Sequence, residues 1–189
     1  MKRLLAATLL SLAAALPAQA AEYLIDTDHA HAFIQFRIKH LGYSWLYGRF
    51  NRFEGEFSYS ESDPAKSKVT VRIDPASVDS NHAERDKHLR SKDFLDVEHY
   101  PEAVFQSTSF EQNADGGALL KGELTLHGVT RPIEIEVQQI GHGPDPWGGE
   151  RRGFHGTTVL TLTDYGITKN LGPASAQVEL ELSVEGIKK

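Results

Sequence analysis

The chain has no cysteine among its 189 residues. Disulfides are therefore excluded, and a lipid anchor attached to a cysteine behind an export signal is not supported. In an oxidising compartment, the stability of such a protein must come from its apolar core and from hydrogen bonds between strands. The lack of cysteine thus predicts a fold held together by burial and backbone pairing alone.

The chain also lacks an apolar run long enough to span a membrane. Its longest run, residues 4–16, has about thirteen residues, whereas a transmembrane helix needs about eighteen or more. Two basic residues precede this run and the segment Ala18-Gln19-Ala20 follows it, which is the layout of a secretory signal peptide. We therefore expect residues 1–20 to be a cleaved signal peptide. Residues 21–189 are expected to form a single soluble, exported domain without stable membrane insertion.

The chain has fewer positive than negative side chains. Acidic side chains outnumber Lys and Arg by 26 to 20, which gives a net charge of −6, and removal of the basic signal peptide widens the difference. A chain with this balance is a poor partner for nucleic acid or for an anionic membrane surface. The charge balance therefore favours neither of these partners.

Sequence motifs of several enzyme classes are absent as well. The chain has no Gly-x-Ser-x-Gly nucleophile elbow, no phosphate-binding loop and no dinucleotide fingerprint. Histidines and acids are present, but no pattern places a nucleophile beside a base. The sequence therefore favours a protein that is not an enzyme, although active sites can also assemble from distant positions.

Alternating apolar and polar residues fill most of the remaining chain. The clearest case is the last segment, where residues 176–184 place apolar side chains at every second position. Eight or nine such segments, joined by hairpin-scale connections, predict antiparallel pairing. Their single apolar faces must be covered either by a sandwich or by closure. We favour an all-β, eight-stranded antiparallel barrel with a short helical insert, whose interior is filled by side chains or holds one small ligand.

Three segments depart from this alternation. Residues 81–95 carry charge at nearly every position, and Ser80 or Asn81 can cap a helix of about two to three turns there. We expect this helix to lie across the open end of the barrel as a lid. Residues 40–48 are rich in aromatic side chains and are predicted to be a connection, and residues 141–149 are predicted to be a loop.

Small residues interrupt the presumed inward faces of the strands. If they line up across strands, they leave an elongated apolar slot for a linear hydrocarbon chain. Alternatively, they fit the taper of a filled barrel or mark bulges. Both interpretations remain open for these positions: Ala32, Gly55, Ala103, Gly122, Gly156 and Ala176.

Two sets of residues have the spacing of metal ligands. His82 with Asp86 stands four apart on the predicted helix, as does Glu84 with His88, but a third ligand is missing. His29 and His31 have a spacing that zinc enzymes use. His29 lies in a predicted turn, however, where capping or hydrogen bonding to backbone is favoured. We expect no metal site.

Cations on the predicted helix could bind a polar head group. Arg85, His88 and Arg90 could face the cavity mouth, although Arg90 could instead pair with Asp86 within the helix. In the aromatic connection, Trp45 and Tyr47 could gate an apolar entrance or plug the end of the barrel. Plugging is the favoured alternative.

Over its whole length after the signal peptide, the chain resembles the YceI-like family of periplasmic polyisoprenoid-binding proteins. The matching stretches are His40-Leu41-Gly42-Tyr43-Ser44-Trp45-Leu46-Tyr47-Gly48, residues 81–95, Gly122-Glu123-Leu124-Thr125-Leu126 with Gly128-Val129-Thr130, Asp145-Pro146-Trp147-Gly148-Gly149, and Leu171-Gly172-Pro173-Ala174-Ser175. The resemblance implies a periplasmic, lipocalin-like barrel with a long isoprenoid lipid in its pore, and possibly a homodimer. It also implies a role in quinone or isoprenoid handling and stress. The Gly-x-Trp signature of true lipocalins is missing.

Two main hypotheses follow. The first is a non-catalytic carrier without a cofactor, whose only ligand is an isoprenoid lipid, polyprenyl or quinone-like. Its predicted ligand-binding residues are Ile34, Phe36, Ile38, Trp45, Phe57, His82, Arg85, His88, Phe105, Leu124 and Leu180. The alternative is an enzyme acting on the same lipid, with His82 or His88 as general base and Asp86 orienting it. A metal-dependent stress protein is a third hypothesis.

Overall fold

Alternating side chains produce eleven strands in the part of the chain that the computed structural model describes, residues 20–114 and 116–189. The predicted signal peptide lies outside these ranges except for its last residue. The strands are β1 (Ala21–Ile25), β2 (Phe33–His40), β3 (Ser44–Phe50), β4 (Phe53–Tyr59), β5 (Lys68–Ile73), β6 (Val78–Asp79), β7 (Ala103–Gln112), β8 (Gly117–Leu126), β9 (Val129–Pro144), β10 (Glu150–Thr161) and β11 (Gln177–Lys188).

Helical structure is sparse. Within the described residues, one α-helix, α1 (Ala83–Arg90), interrupts the strands, and four short 3₁₀ turns accompany it at Pro64–Lys66, Pro75–Ser77, Leu162–Tyr165 and Pro173–Ser175. None of the helical segments in the described ranges has the length and apolar content needed to cross a bilayer.

Eight strands form a closed antiparallel circuit. They follow the order β1-β4-β5-β7-β8-β9-β10-β11, and pairing of β1 with β11 closes the ring. Each strand therefore keeps one face inside the barrel and one outside. The predicted all-β barrel of eight strands with a short helical insert is confirmed.

Strand β11 pairs with two different strands along its length. Its final residues pair with β1, whereas residues 178–183 pair with β2. The β2–β3 hairpin therefore extends the barrel wall as a flap, and the far edge of β3 pairs with β6 through Arg49 and Phe50. This flap lies at the end of the barrel that also carries α1, which we call the helix end. The opposite end is called the floor end.

Two predicted connections contain strand residues. Residues 44–48 belong to β3. Leu46 faces inward there, but the flanking side chains that face outward are aromatic, so apolar and polar residues do not alternate in the sequence. Strand β9 continues to Pro144, so residues 141–144 of the predicted loop are extended. Strand β10 begins at Glu150, before the predicted start at residue 154. A bulge between Gly153 and Phe154 shifts the register there and hides the pattern.

The predicted helix is present, but its N-cap is neither Ser80 nor Asn81. His82 has extended backbone angles, and its Nδ1 accepts the backbone N–H of Arg85 at 3.2 Å. Asn81 precedes it with a φ of 62°, in the left-handed region. The helix therefore begins at Ala83, later than the charge pattern indicates.

Aromatic side chains fill the floor end of the barrel. The rings of Tyr23 and Phe57 stack with centroids 4.8 Å apart, and Phe154 meets Phe57 edge to face at 5.6 Å. Arg152 is 2% exposed, and its guanidinium lies 4.1 Å from the centre of the Tyr59 ring. The side chain of Arg152 also donates to Gln139 Oε1 at 2.7 Å and to Glu61. This end of the barrel is a packed core.

Candidate functional site

An apolar cavity of about 460 Å³ occupies the helix end of the barrel. This volume lies within the range of roughly 300–1,000 Å³ that small-molecule sites have. Strands β2, β3, β8 and β11 supply aliphatic and aromatic side chains, and α1 with the turn after it covers one side. The apolar lining includes Ile34, Phe36, Ile38, Leu46, Phe50, Leu89, Phe94, Leu95, Leu124, Leu126, Leu160, Leu162, Ile167, Leu171, Val178 and Leu180.

Seven of the eleven predicted ligand-binding residues line this cavity. They are Ile34, Phe36, Ile38, Arg85, His88, Leu124 and Leu180. The other four lie elsewhere in the structure. Trp45 is on the outer face beneath the Arg37 guanidinium, which is 4.4 Å from the ring centre, and His82 caps the helix in an exposed position. Phe57 belongs to the core at the floor end, and Phe105 belongs to the core between the two ends.

The cavity is blind. A separate apolar cavity of about 90 Å³ lies deeper, lined by Phe57, Leu120 and neighbouring side chains, and it shares no lining residue with the larger one. Phe105 lies one rung below Ala103 on β7, pairs with Leu124 and lines neither cavity. Its buried ring packs against Gly122, which lies on β8 between Leu124 of the larger cavity and Leu120 of the smaller one, so the ring lies between the two spaces.

The small residues on the inward faces do not form the elongated slot that one interpretation predicted. A Cβ on Gly122 would lie 2.5 Å from the Phe105 ring, so this glycine makes room for the ring rather than for a ligand. At Gly55, a Cβ would meet the Thr70 carbonyl oxygen at 2.6 Å. Ala103 lines the large cavity, but Ala176 is exposed. The alternative, packing within a partly filled barrel, describes these positions better.

The cavity rim is polar and basic. Lys39, His40, Arg85 and His88 all contribute to its lining. The Arg85 guanidinium is held in place, because its Nε donates to Ser80 Oγ at 2.7 Å and a second nitrogen donates to the Ser80 carbonyl. The rim therefore offers positive charge beside an apolar interior.

Asp93 ties the turn after the helix to the link before β11. Its Oδ2 lies 2.8 Å from Lys169 Nζ and 2.9 Å from His88 Nε2. The hydrogen bond from Lys169, followed by that from His88, lowers the pKa of Asp93 to about 2. The carboxylate therefore stays ionised at ordinary pH and bridges two segments at the mouth.

The residues of the hypothetical catalytic helix contact three different partners. Asp86 is buried, and its Oδ1 accepts the backbone N–H and the hydroxyl of Ser80 at 2.8 and 2.5 Å. His82 caps the helix, and His88 bonds to Asp93. The same geometry turns Asp86 away from the predicted pairing with Arg90, whose side chain lies 3.4 Å from the Val78 carbonyl. The geometry therefore gives no base–orienter pair among these three residues.

The histidines near the end of β1 bond to a side chain rather than to backbone. Asp26 lies 2.8 Å from His29 Nδ1 and 2.9 Å from His31 Nδ1, and it accepts from Arg151 at 2.7 Å. Burial would raise the pKa of Asp26, but these hydrogen bonds, that of Arg151 first, outweigh it and hold the pKa well below its usual range. Ligand atoms of Asp26, His31 and Glu185 lie within 4.8 Å of one another, and Arg151 already supplies a cation to both carboxylates.

Sequence reasoning missed several cavity residues. Leu89, Phe94 and Leu95 are the apolar members of the charged run, and they turn inward over the cavity. Their apolar character within an otherwise charged run was a usable signal. Ile167 and Leu171 come from the irregular link before β11, where no periodicity points to burial.

A YceI-like domain profile matches residues 23–186. A UPF0312 protein of Pseudomonas aeruginosa strain LESB58 is 59% identical over 171 residues, which cover 90% of this chain and 89% of that protein. The chain belongs to the YceI-like family. A second YceI-like relative, a UPF0312 protein of Shewanella sp. strain ANA-3, is 53% identical over the full length of both chains.

Solved structures share the YceI-like fold. A Campylobacter jejuni YceI protein superposes with a TM-score of 0.72 at 26% identity, covering 80% of this chain and 90% of that one. BcnA of Burkholderia cenocepacia gives a TM-score of 0.75 at 17% identity, covering 85% and 98%. A polyisoprenoid binding domain of Saccharophagus degradans, implicated in plant cell wall breakdown, gives 0.62 at 16% identity, covering 90% and 100%.

Proposed function

We propose that this YceI-like protein is a periplasmic binding and carrier protein for a long-chain isoprenoid lipid, polyprenyl or quinone-like, and that it is not an enzyme. The observation that carries the proposal is the apolar cavity of about 460 Å³ at the helix end, with a basic rim. An apolar lining suits a hydrocarbon tail, and the rim suits a polar or anionic head group. A link to stress response and a homodimer are further parts of the proposal.

The energetics favour a tail-dominated ligand. Burial of each methylene contributes about 0.8 kcal/mol before the entropic costs of binding, so a few isoprene units give strong binding without many polar contacts. The blind end of the cavity at Phe105 limits how much of the tail enters. We therefore place the inner end of the tail against Leu124 and Leu180, and the head group beside Arg85 and His88.

Native mass spectrometry of the mature protein purified from its own periplasm tests the proposal. We expect a bound mass that extraction identifies as a lipid with an isoprenoid repeat. Protein that carries no added mass and also binds no fluorescent prenyl probe would overturn the proposal.

A matched pair of variants on β2 locates the binding site. Ile38 faces the cavity, and Phe33 lies on the outer face of the same strand. Ile38→Asn is expected to weaken probe binding by about tenfold or more, because an amide would replace apolar contact with the tail. Phe33→Asn should leave it unchanged. Equal affinities of the two variants would place the tail outside this cavity.

A further inference from the structure

The β2–β3 hairpin exposes large apolar side chains beside the cavity mouth. We call residues 37–49 the mouth hairpin. Tyr43 is 89% exposed, Tyr47 is 59% exposed and Leu41 is 57% exposed, and part of the Trp45 ring is also accessible. Leu41 additionally contributes to the cavity lining. An apolar patch of this kind, continuous with a ligand entrance, marks an interaction surface.

The turn of the mouth hairpin keeps an aliphatic side chain where the backbone disfavours it. Tyr43 donates its N–H to the His40 carbonyl at 3.0 Å, and the two residues between them have φ values of 53° and 84°. Turns with positive φ at both central positions favour Asn-Gly, whereas the first central position here is Leu41. A non-glycine residue held in this region, with its side chain more than half exposed, points to a functional constraint.

Charge around the mouth hairpin differs from that of the whole chain. Residues 29–53 contain no Asp or Glu, whereas the chain as a whole has an acidic excess. Arg37, Arg49 and Arg52 pair with carboxylates outside this segment. Lys39 instead lies over the Trp45 ring, with its Nζ 5.4 Å from the ring centre. Tyrosine, tryptophan and lysine in one exposed patch are typical of the membrane–water interface.

We propose that the mouth hairpin docks the protein reversibly on a phospholipid bilayer, with Leu41 and Tyr43 entering the interfacial layer. The inference rests on the proposed function, because a carrier must collect a water-insoluble lipid from a membrane. Lys39, His40 and Leu41 all line the cavity rim, so docking through the hairpin turns the entrance towards the bilayer. Leu41 and Tyr43 provide the apolar contact, and Lys39 provides attraction to anionic head groups.

Vesicle flotation tests the docking directly. The probe is a vesicle of phosphatidylethanolamine with phosphatidylglycerol as the minor component. The test variant is Tyr43→Asp, and its matched control is Ile140→Asp, at a residue that is 71% exposed near the floor end. We expect Tyr43→Asp to reduce the vesicle-bound fraction by about tenfold or more, while Ile140→Asp floats like the parent protein.

Fluorescence gives a second readout at the mouth hairpin. The chain has two tryptophans, so Trp147→Phe leaves Trp45 as the single reporter. On addition of vesicles, we expect a blue shift of Trp45 emission in this background and none after Tyr43→Asp. Leu41→Asn is expected to reduce flotation while its melting temperature stays equal or rises, since asparagine suits the left-handed turn.

The outcomes separate docking from cargo binding. If the parent protein binds the prenyl probe but does not float with vesicles, the docking proposal is overturned and the carrier function stands. If it floats but binds no probe, docking stands and the carrier function fails. If Tyr43→Asp instead abolishes a concentration-dependent dimer and leaves flotation unchanged, the hairpin is a surface for a second copy of the chain, which also overturns docking.

Discussion

The two ends of this barrel are built from the same strands but differ in what fills them. On β11, Val178 and Leu180 line the open cavity, whereas Gly186 lies beneath the Phe57 ring at the packed floor end. At the floor end aromatic rings and the Arg152 side chain occupy the interior, and at the helix end the apolar side chains leave it open. An eight-stranded barrel is wide enough for either outcome, so side-chain size at each rung decides which one occurs.

The boundary between the two ends is the first place to test this difference. Phe105→Ala is expected to lower the free energy of unfolding by about 4 kcal/mol, as is usual for a buried phenylalanine. Removal of the ring should also join the two cavities, so the protein should accept a longer prenyl chain. Chemical denaturation and a chain-length series of prenyl probes measure the two effects.

The control for this variant is Phe57→Ala. Its cost in stability should be similar, since Phe57 is equally buried. It removes a ring that is not at the boundary, so the longest prenyl chain bound should stay the same. A longer chain in this variant, or an unchanged limit after Phe105→Ala, would contradict the boundary assigned to Phe105.

The ion pairs on the outer face of the floor end should contribute to stability without affecting the ligand. Arg151→Leu leaves the Asp26 carboxylate, whose side chain is 1% exposed, without its main cation. We expect a loss of about 3 kcal/mol in the free energy of unfolding, because an uncompensated buried charge remains. Affinity for the prenyl probe, measured well below the melting temperature, should not change. A parallel loss of affinity would show that the two ends are coupled.

A buried hydroxyl near the helix end should prove dispensable. Tyr165 is 2% exposed, and its hydroxyl has no hydrogen-bond partner among the described residues. Burial raises the pKa of this group to about 12. Tyr165→Phe is therefore expected to increase the free energy of unfolding by about 1 kcal/mol, since an unsatisfied polar group is removed. A clear destabilisation in urea unfolding would indicate a partner for the hydroxyl.

The smallest effect is expected at the mouth, where Asp93 is partly exposed. Its pKa is lowered from 3.8 to about 2 in the folded protein, so its bridge stabilises the fold above pH 3.8. This contribution is lost as the pH falls from 3.8 through about 2. Asp93→Asn should therefore melt slightly lower than the parent at neutral pH, and the two melting temperatures should converge in strong acid. A difference that persists below pH 2 would exclude this carboxylate as the cause.

The sequence was informative wherever a pattern repeats along the chain. Alternation on β2 and β11 placed Ile34, Ile38 and Leu180 on inward faces, and the charged run located the helix. The pattern could not distinguish an inward residue at the open end from one at the filled end, which is why Phe57 and Phe105 were assigned to the ligand. That distinction depends on the rung at which each strand pairs with its neighbours.

Residues without a repeating pattern were harder to place. Arg152 reads as an ordinary surface cation, and its burial depends on stacking against Tyr59, which is distant in sequence. Trp45 was predicted to bind the ligand at the end of the barrel, but its partner is the outward-facing Arg37 on the paired strand. Such contacts between distant side chains cannot be inferred from local periodicity.

Strand β11 pairs with β2 beside the cavity entrance and with β1 where the ring of eight strands closes, so the entrance and the ring use different strand pairings. Strand β3 meets β6 over a ladder of two residues, Arg49 and Phe50, while the ring of eight strands closes elsewhere through β1. Separation of β3 from β6 would break that short ladder and the Arg49–Asp79 ion pair, while every strand pairing of the ring stays intact. An entrance that widens in this way would admit or release a guest without loosening the ring.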